Sequence, residues 1–271
     1  MTSLRLATIA NDLDISVVVP VHNEVDNLAE LTAEIVSALR GKSAFEIVYV
    51  DDASTDATQA ELDRLCNLYP ELRPIAHDIK SGQSIAVVSG VRAARGTIIV
   101  TLDGDGQNDP RFILEMAQTL ANGMPRIGLV AGRRLGRKAS LFKKMQSRIA
   151  NGVRGAILRD GTTDTGCGLK AFPRDLFLRL PVFDSLHRFL PALVRREGYD
   201  VAHVDVIDRD RRHGVSKYGM WNRLWVGLLD LGGVWWLIRR RKAVPKIQEL
   251  KGDAGRSFAD DRDLSAGRIR Q

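Results

Sequence analysis

The chain is short of several things at once, and each shortage removes a class of protein. Two of its 271 residues are cysteines, Cys66 and Cys167, far apart and in no CxxC pair. That excludes a disulfide framework and favours a reducing compartment. Aromatic residues make up only 6% of the chain, and they cluster near its end instead of alternating with cations as the stacking platforms of a nucleic-acid binder do. No nucleic-acid partner is expected. The five histidines provide no metal-ligand spacing, and His213 reads as a bystander. The opening "MTSLRLATIANDLD" has no basic stretch followed by an apolar one, so nothing in it suggests secretion. The longest apolar run, 224–238, contains Asp230 and falls short of the roughly 20 residues that a membrane span requires. There is no internal repeat and no low-complexity tract.

What remains is globular. Apolar residues make up 44% and charged residues 27%, with a net charge of +7, a charge that by itself suits nucleic acid, anionic lipid or a phosphorylated substrate and does not choose among them. The β-branched runs "ISVVVPV" (15–21), "FEIVYV" (45–50), "TIIVTLD" (97–103) and "IGLVAG" (127–132) read as strands buried on both faces. Helical patterns over 27–40, 56–69 and 84–96 separate the first three. This alternation predicts an α/β fold with parallel strands joined by helical crossovers. Polar clusters follow the strands, "HNEVDN", "DDASTD" and "DGDGQND", at the sheet edge where such folds gather ligands.

The third cluster carries the strongest chemistry. Asp103 and Asp105 flank Gly104, which permits the sharp turn that aims both carboxylates into one cleft. Left alone they repel each other; a hard divalent cation, Mg²⁺ or Mn²⁺, resolves the conflict. A solvated Asp/Gly turn is the competing reading of such a pair. Asp109, directly before Pro110, reads as a helix cap. Between Arg126 and Arg159 there is no Asp or Glu but ten cations. Phe142, Met145, Ile149, Val153 and Ile157 recur there at helical spacing, which predicts a basic amphipathic helix able to lie on anionic lipid or to meet phosphates.

Seven segments in order, "VVVPVHNEVDNL", "IVYVDDASTDAT", "TLDGDGQNDP", "AGRRLGR", "SRIANGV", "DTGCGLKAF" and "RRHGVSKYG", resemble the family-2 glycosyltransferases. Within them they resemble the polyprenyl-phosphate, dolichol-phosphate-mannose-synthase-like branch, over residues 15–219. The resemblance implies a GT-A fold, with a mostly parallel central sheet flanked by helices. It also implies a UDP- or GDP-linked sugar donor, a divalent metal, and a polyprenyl phosphate acceptor at the cytosolic face of a membrane. Pro20, His22, Glu24, Val50 and Asp52 match the family's nucleoside pocket, with His22 where a tyrosine is commoner. Asp51 has a structural alternative, holding its loop through backbone N–H groups. Asp103 and Asp105 match the metal site, with Gly104 as spacer and Gln107 beside it. Arg134 and Arg148 match phosphate contacts, and the remaining cations of the basic block are read as lipid-facing or solvated. Asp164 is a candidate base or acceptor-orienting group, or a turn cap. Arg211, Ser216 and Lys217, around Gly214, match a basic loop that closes over phosphates.

The implied reaction is inverting transfer of a hexose to the lipid phosphate, with Asp105, Asp164 and Arg211 at its centre. A hydroxyl acceptor on a glycolipid or polysaccharide is the alternative, and a basic membrane-surface or nucleic-acid-binding protein without catalysis is the alternative of another class. Residues 220–244 read as an interfacial or re-entrant helix, with Trp221, Trp225, Trp235 and Trp236 at the headgroup level and Arg239, Arg240, Arg241 and Lys242 on an anionic surface. A buried core helix is its competitor. Residues 1–14 are read as an N-terminal extension, and 245–271 are expected to be a disordered tail. A homo-oligomer or a separate membrane subunit would complete the assembly.

Overall fold

The computed structural model describes residues 15–135, 152, 154, 155, 157, 158, 160–162, 164–209 and 220–241. The chain begins β1 (Ile15–Val21), α1 (Val25–Leu39), β2 (Phe45–Asp51), α2 (Thr58–Cys66), β3 (Ile75–Ala76), α3 (Gln83–Ala93) and β4 (Ile98–Thr101). After a single 3₁₀ turn at Pro110–Phe112 come α4 (Ile113–Gly123), β5 (Ile127–Leu135) and β6 (Lys170–Pro173). The last elements are α5 (Arg174–Leu178), α6 (Leu186–Arg196), β7 (Asp200–Ile207) and α7 (Met220–Arg239).

The seven strands form one sheet in the order β3-β2-β1-β4-β6-β5-β7. All neighbouring pairs are parallel except those of β6, which runs antiparallel to both β4 and β5. The expected mostly parallel sheet is therefore present, with one reversed strand in its middle. Strands β1 and β2 are mostly apolar because both faces are covered. Val17, Val19 and Val21 of β1 pack with Leu28, Leu31 and Ile35 of α1 on one side. Val18 joins Val48 and Val50 of β2 and Val87 and Val91 of α3 on the other. Helix α3 comes close enough that a Cβ on Gly90 would lie 2.4 Å from Val18 Cγ1.

Two expectations need refining. Gly104 lies in the turn between the paired carboxylates, but its backbone is not left-handed; the left-handed glycine is Gly106, after Asp105, at φ 71°. Gly104 is small for another reason: a Cβ would sit 2.5 Å from Val21 Cγ1 and 3.0 Å from the Pro20 carbonyl oxygen. The basic block is also not without counter-charge. Strand β7 lies along β5 from Ile127↔Asp200 to Leu135↔Ile207, so Arg126 pairs with Asp200 at 2.6 Å and Arg133 with Asp205 at 2.5 Å. Arg154 is neither solvated nor lipid-facing. It is buried and donates to Asp160 at 2.6 Å and to the Thr162 carbonyl at 2.5 Å.

Candidate active site

The ends of β1, β2 and β4 meet at one sheet edge, as the polar clusters suggested. The first two tips are locked together. Asn23 and Ala53 both adopt left-handed backbone, at φ 57° and 56°, a conformation that costs non-glycine residues energy and persists only where neighbours enforce it. The enforcement is visible. Asn23 N–H donates to Ser54 Oγ at 2.9 Å, Thr55 N–H to Asn23 Oδ1 at 2.7 Å, and Glu24 N–H to Thr58 Oγ1 at 3.1 Å. Asp51 accepts from Ser54 N–H at 3.0 Å, so its side chain serves its loop.

Asp52 is engaged more fully. Its Oδ1 takes Ser81 N–H at 2.7 Å and lies 2.9 Å from His77 Nδ1, while Oδ2 takes Gly82 N–H at 2.8 Å. Burial opposes its charge, but these bonds outweigh it and hold the carboxyl below its ordinary range. Asp52 thus fixes the start of α3 and keeps capacity on Oδ2 for one further donor. His22 Nδ1 lies 2.9 Å from the Asp52 carbonyl oxygen, and Glu24 Oε2 accepts from Asn27 at 2.7 Å. Val50 presents no side chain to this edge; it is fully buried under α3. Pro20 sits beside Asp103.

The β4 tip places Asp103 and Asp105 in a tight frame. Asp103 N–H donates to Asn108 Oδ1 at 3.1 Å, and Asp103 Oδ1 accepts from Gln83 Nε2 at 2.8 Å. Asp105 is buried, and its Oδ1 accepts Gln107 N–H at 3.1 Å. Gly168 lies against the Asp103 carboxylate, where a Cβ would come within 2.3 Å of its Cγ. Burial, then the charge of Asp105, pushes the Asp103 carboxyl up to about 6. Asp109 is a cap, as expected, accepting Arg111 N–H at 3.0 Å.

Next to this tip stands Arg134, at the end of β5. Its Nε and Nη2 each donate to Asp164 at 2.7 Å in a bidentate pair, and Nη1 reaches Asp208 Oδ2 at 3.2 Å. Burial works against the guanidinium charge, but Asp164 and Asp208 hold it firmly protonated. Of its five N–H groups, one on each terminal nitrogen remains for an incoming anion. Lys170, wholly buried at the start of β6, donates to the Cys167 carbonyl and to the Thr165 carbonyl at 3.4 Å. It braces the loop that carries Asp164 and Gly168. Burial lowers its pKa. His187 of α6 stands nearby, 2.7 Å from Ser84 Oγ; burial and Lys170 push it down to about 3, so it is neutral at working pH.

The structure therefore brings together Pro20, His22, Glu24, Asp52, Asp103, Gly104, Asp105, Gln107, Arg134 and Asp164. Arg148, Arg211, Ser216 and Lys217 lie outside the described residues. Gln83, Asn108, Lys170, His187 and Asp208 belong to the site without having been anticipated. Lys170 and Asp208 stand within or beside segments already singled out, but burial of a lysine and the pairing of β7 with β5 leave no mark on local composition.

Among the described residues no three His, Cys, Asp or Glu side chains converge on a cation position. Two carboxylates one residue apart, one of them raised above its ordinary range by burial first and by the other's charge second, nonetheless fit a hard divalent ion that takes its remaining ligands from phosphate and water.

The family model described as "Glycosyl transferase family 2" matches residues 16–180. The chain belongs to this family. A dodecaprenyl-phosphate galacturonate synthase from Rhizobium johnstonii is 34% identical over 84% of this glycosyltransferase and 68% of its own length. An undecaprenyl-phosphate 4-deoxy-4-formamido-L-arabinose transferase from Edwardsiella ictaluri is 32% identical over 76% of this chain. The family 2 chain spans only 63% of that relative's length. Among solved structures, a mannosyltransferase from Pyrobaculum calidifontis in complex with GDP-Man and Mn²⁺ superposes with a TM-score of 0.60 at 26% identity, covering 85% of this chain and 66% of that one. Glucosyl-3-phosphoglycerate synthase from Mycobacterium tuberculosis, in complex with UDP, shares the fold with a TM-score of 0.63 at 19% identity, over 88% and 84% of the two chains. These neighbours place the sheet and its covering helices in the GT-A class.

Proposed function

We propose that this glycosyltransferase moves a hexose or related sugar from a UDP- or GDP-linked donor to a polyprenyl phosphate, with inversion, at the cytosolic face of a membrane. The observation that carries the reading is the engagement of Asp164. Both its oxygens already accept from Arg134, so it is poorly placed to remove a proton from a sugar hydroxyl. An acceptor that needs no deprotonation fits better, and a lipid phosphate is anionic near neutral pH. The two relatives' names point to the same acceptor class.

In this reading the tips of β1 and β2 receive the nucleoside, with Asp52 offering its remaining acceptor to a ring N–H of the base. Asp103 and Asp105 would hold Mg²⁺ or Mn²⁺, which supplies Lewis-acid stabilisation of the departing diphosphate. Arg134 turns its spare N–H groups to a phosphate oxygen, and Asp164 keeps that guanidinium in one orientation. Arg148, Arg211, Ser216 and Lys217 are assigned the remaining phosphate contacts by sequence. No described residue is placed as a covalent nucleophile, and a single displacement inverts the anomeric centre. Helix α7 and the basic block are proposed to seat the protein on the lipid surface that carries the acceptor.

The test is transfer of radiolabel from a panel of UDP- and GDP-sugars to undecaprenyl phosphate with Mg²⁺ or Mn²⁺, using Asp105→Ala as control. Label entering the lipid with one donor, and absent in the variant, is the expected result. A donor that binds with metal while no lipid is labelled overturns the acceptor, and the failure of every donor to bind overturns the activity.

A further inference from the structure

Asp208 follows the last residue of β7, and none of the sequence signals pointed to it. It nevertheless touches both halves of the site. Asn108 is buried in the β4 tip, where its Oδ1 takes the Asp103 N–H at 3.1 Å and its Nδ2 points to Asp208 Oδ1 at 3.4 Å. Asp208 Oδ2 receives Arg134 Nη1 at 3.2 Å. A backbone bridge joins Asn108 and Asp208, and Arg209 N–H donates to the Gln107 carbonyl at 2.9 Å. One carboxylate thus connects the backbone of Asp103 to the guanidinium held by Asp164. We propose that Asp208 is a positioning residue of the transfer reaction, aligning Arg134 with the Asp103 segment through Asn108; this rests on the site assignment above.

Two comparisons within the molecule support it. Asp205, three residues earlier on β7, pairs with Arg133 and is held below its ordinary range, as a carboxylate in a favourable ion pair is. Asp208 also faces an arginine, yet burial keeps its carboxyl above the ordinary range. Its charge is maintained at a cost to the fold, the pattern expected where a charge serves a site and not stability. The second is bond length. The guanidinium of Arg134 bonds Asp164 twice at 2.7 Å but Asp208 once at 3.2 Å, so of its two carboxylate partners Asp208 is the one that yields first when Arg134 meets a phosphate.

The experiment compares the full chain with Asp208→Asn, and with Asp205→Asn as a control on the same strand. It measures calorimetric binding of UDP and GDP with Mn²⁺, melting of the metal-free protein, and kcat and KM for transfer to undecaprenyl phosphate. For Asp208→Asn the proposal expects an unchanged or higher melting temperature, with nucleotide–Mn²⁺ affinity and kcat each lower by about tenfold, the effect typical of partners that orient first ligands. Asp205→Asn should leave binding and kcat unchanged. If Asp208→Asn melts several degrees lower, with function lost in proportion to folding, its role is structural and the proposal falls. It falls equally if binding and kinetics match wild type. If wild type binds neither nucleotide with Mn²⁺, the site assignment fails first and the proposal with it.

Discussion

Asp103 joins the chemistry of the site to the stability of the fold. Burial and the neighbouring charge of Asp105 raise its carboxyl from an ordinary 3.8 to about 6. The folded protein therefore holds this proton more tightly than the unfolded chain does. Stability contributed by the protonated form is present at acid pH and lost as pH rises through about 6. Removing the charge should reverse that loss: Asp103→Asn is expected to stabilise the metal-free protein at pH 7 by at most ~3 kcal/mol, read as a higher melting temperature in EDTA. The same variant should lose Mn²⁺-dependent nucleotide binding. In the wild type, proton and cation compete for one carboxylate, so calorimetric affinity for nucleotide with Mn²⁺ should weaken as pH falls below about 6. An affinity flat from pH 5 to 8 would remove Asp103 from the metal site. The carboxylates themselves were legible in sequence because a DxD at a strand end is a local pattern. Gln83, Lys170 and Asp208 were not, since each reaches the site through tertiary pairing that no window of sequence contains.

At the scale of elements, legibility followed how locally each element is determined. Strands β1 and β2 are buried on both faces, so their apolar runs mark them almost to the residue. Strand β6 has four residues, begins with Lys170 and sits reversed between β4 and β5; nothing in "KAFP" announces it. Strand β7 buries Val204 and Val206 while Asp205 faces out to Arg133, an edge pattern that mutes the apolar signal. Its acidic residues also explain why a basic block with no local counter-charge is not a bare cationic surface. Two variants test the packing. Gly90→Ala forces a Cβ against Val18 and Val50, and overpacking of this kind should cost ~1–3 kcal/mol in urea denaturation. Asp160 is completely buried beneath Arg154, whose Nε has no partner of its own. Asp160→Ala leaves that cation unpaired, with an expected loss of ~3–5 kcal/mol. A combined Asp160→Ala, Arg154→Leu protein should recover part of it, because the desolvated charge goes with its partner.

For the whole molecule, the question is how a chain with no described helix long and apolar enough to cross a membrane would meet the lipid-borne acceptor proposed for it. Helix α7 is neither a free interfacial helix nor a wholly buried one. Val234 is buried in the core layer beneath α6, with Leu231 and Ile238 packed against it, so this edge is anchored to the domain. Leu229 is 76% exposed and Trp236 53%. Beside them Arg239 stacks 4.2 Å from the Trp235 ring and Arg240 lies 6.0 Å from that of Trp236. An outward face carrying indoles with guanidiniums above them matches the headgroup region of an anionic bilayer, where rings sit at the apolar boundary and cations meet phosphate. A net charge of +7 adds long-range attraction that salt screens. The full chain should therefore float with vesicles containing anionic phospholipid and remain behind with zwitterionic ones. Arg239→Ala with Arg240→Ala should weaken binding by roughly 1 kcal/mol per cation, most visibly at low salt. Trp236→Ala should weaken it at all salt concentrations, because its contribution is area buried and not charge. Equal flotation with both vesicle types, or a double arginine variant that binds as well as wild type, would move the attachment away from α7.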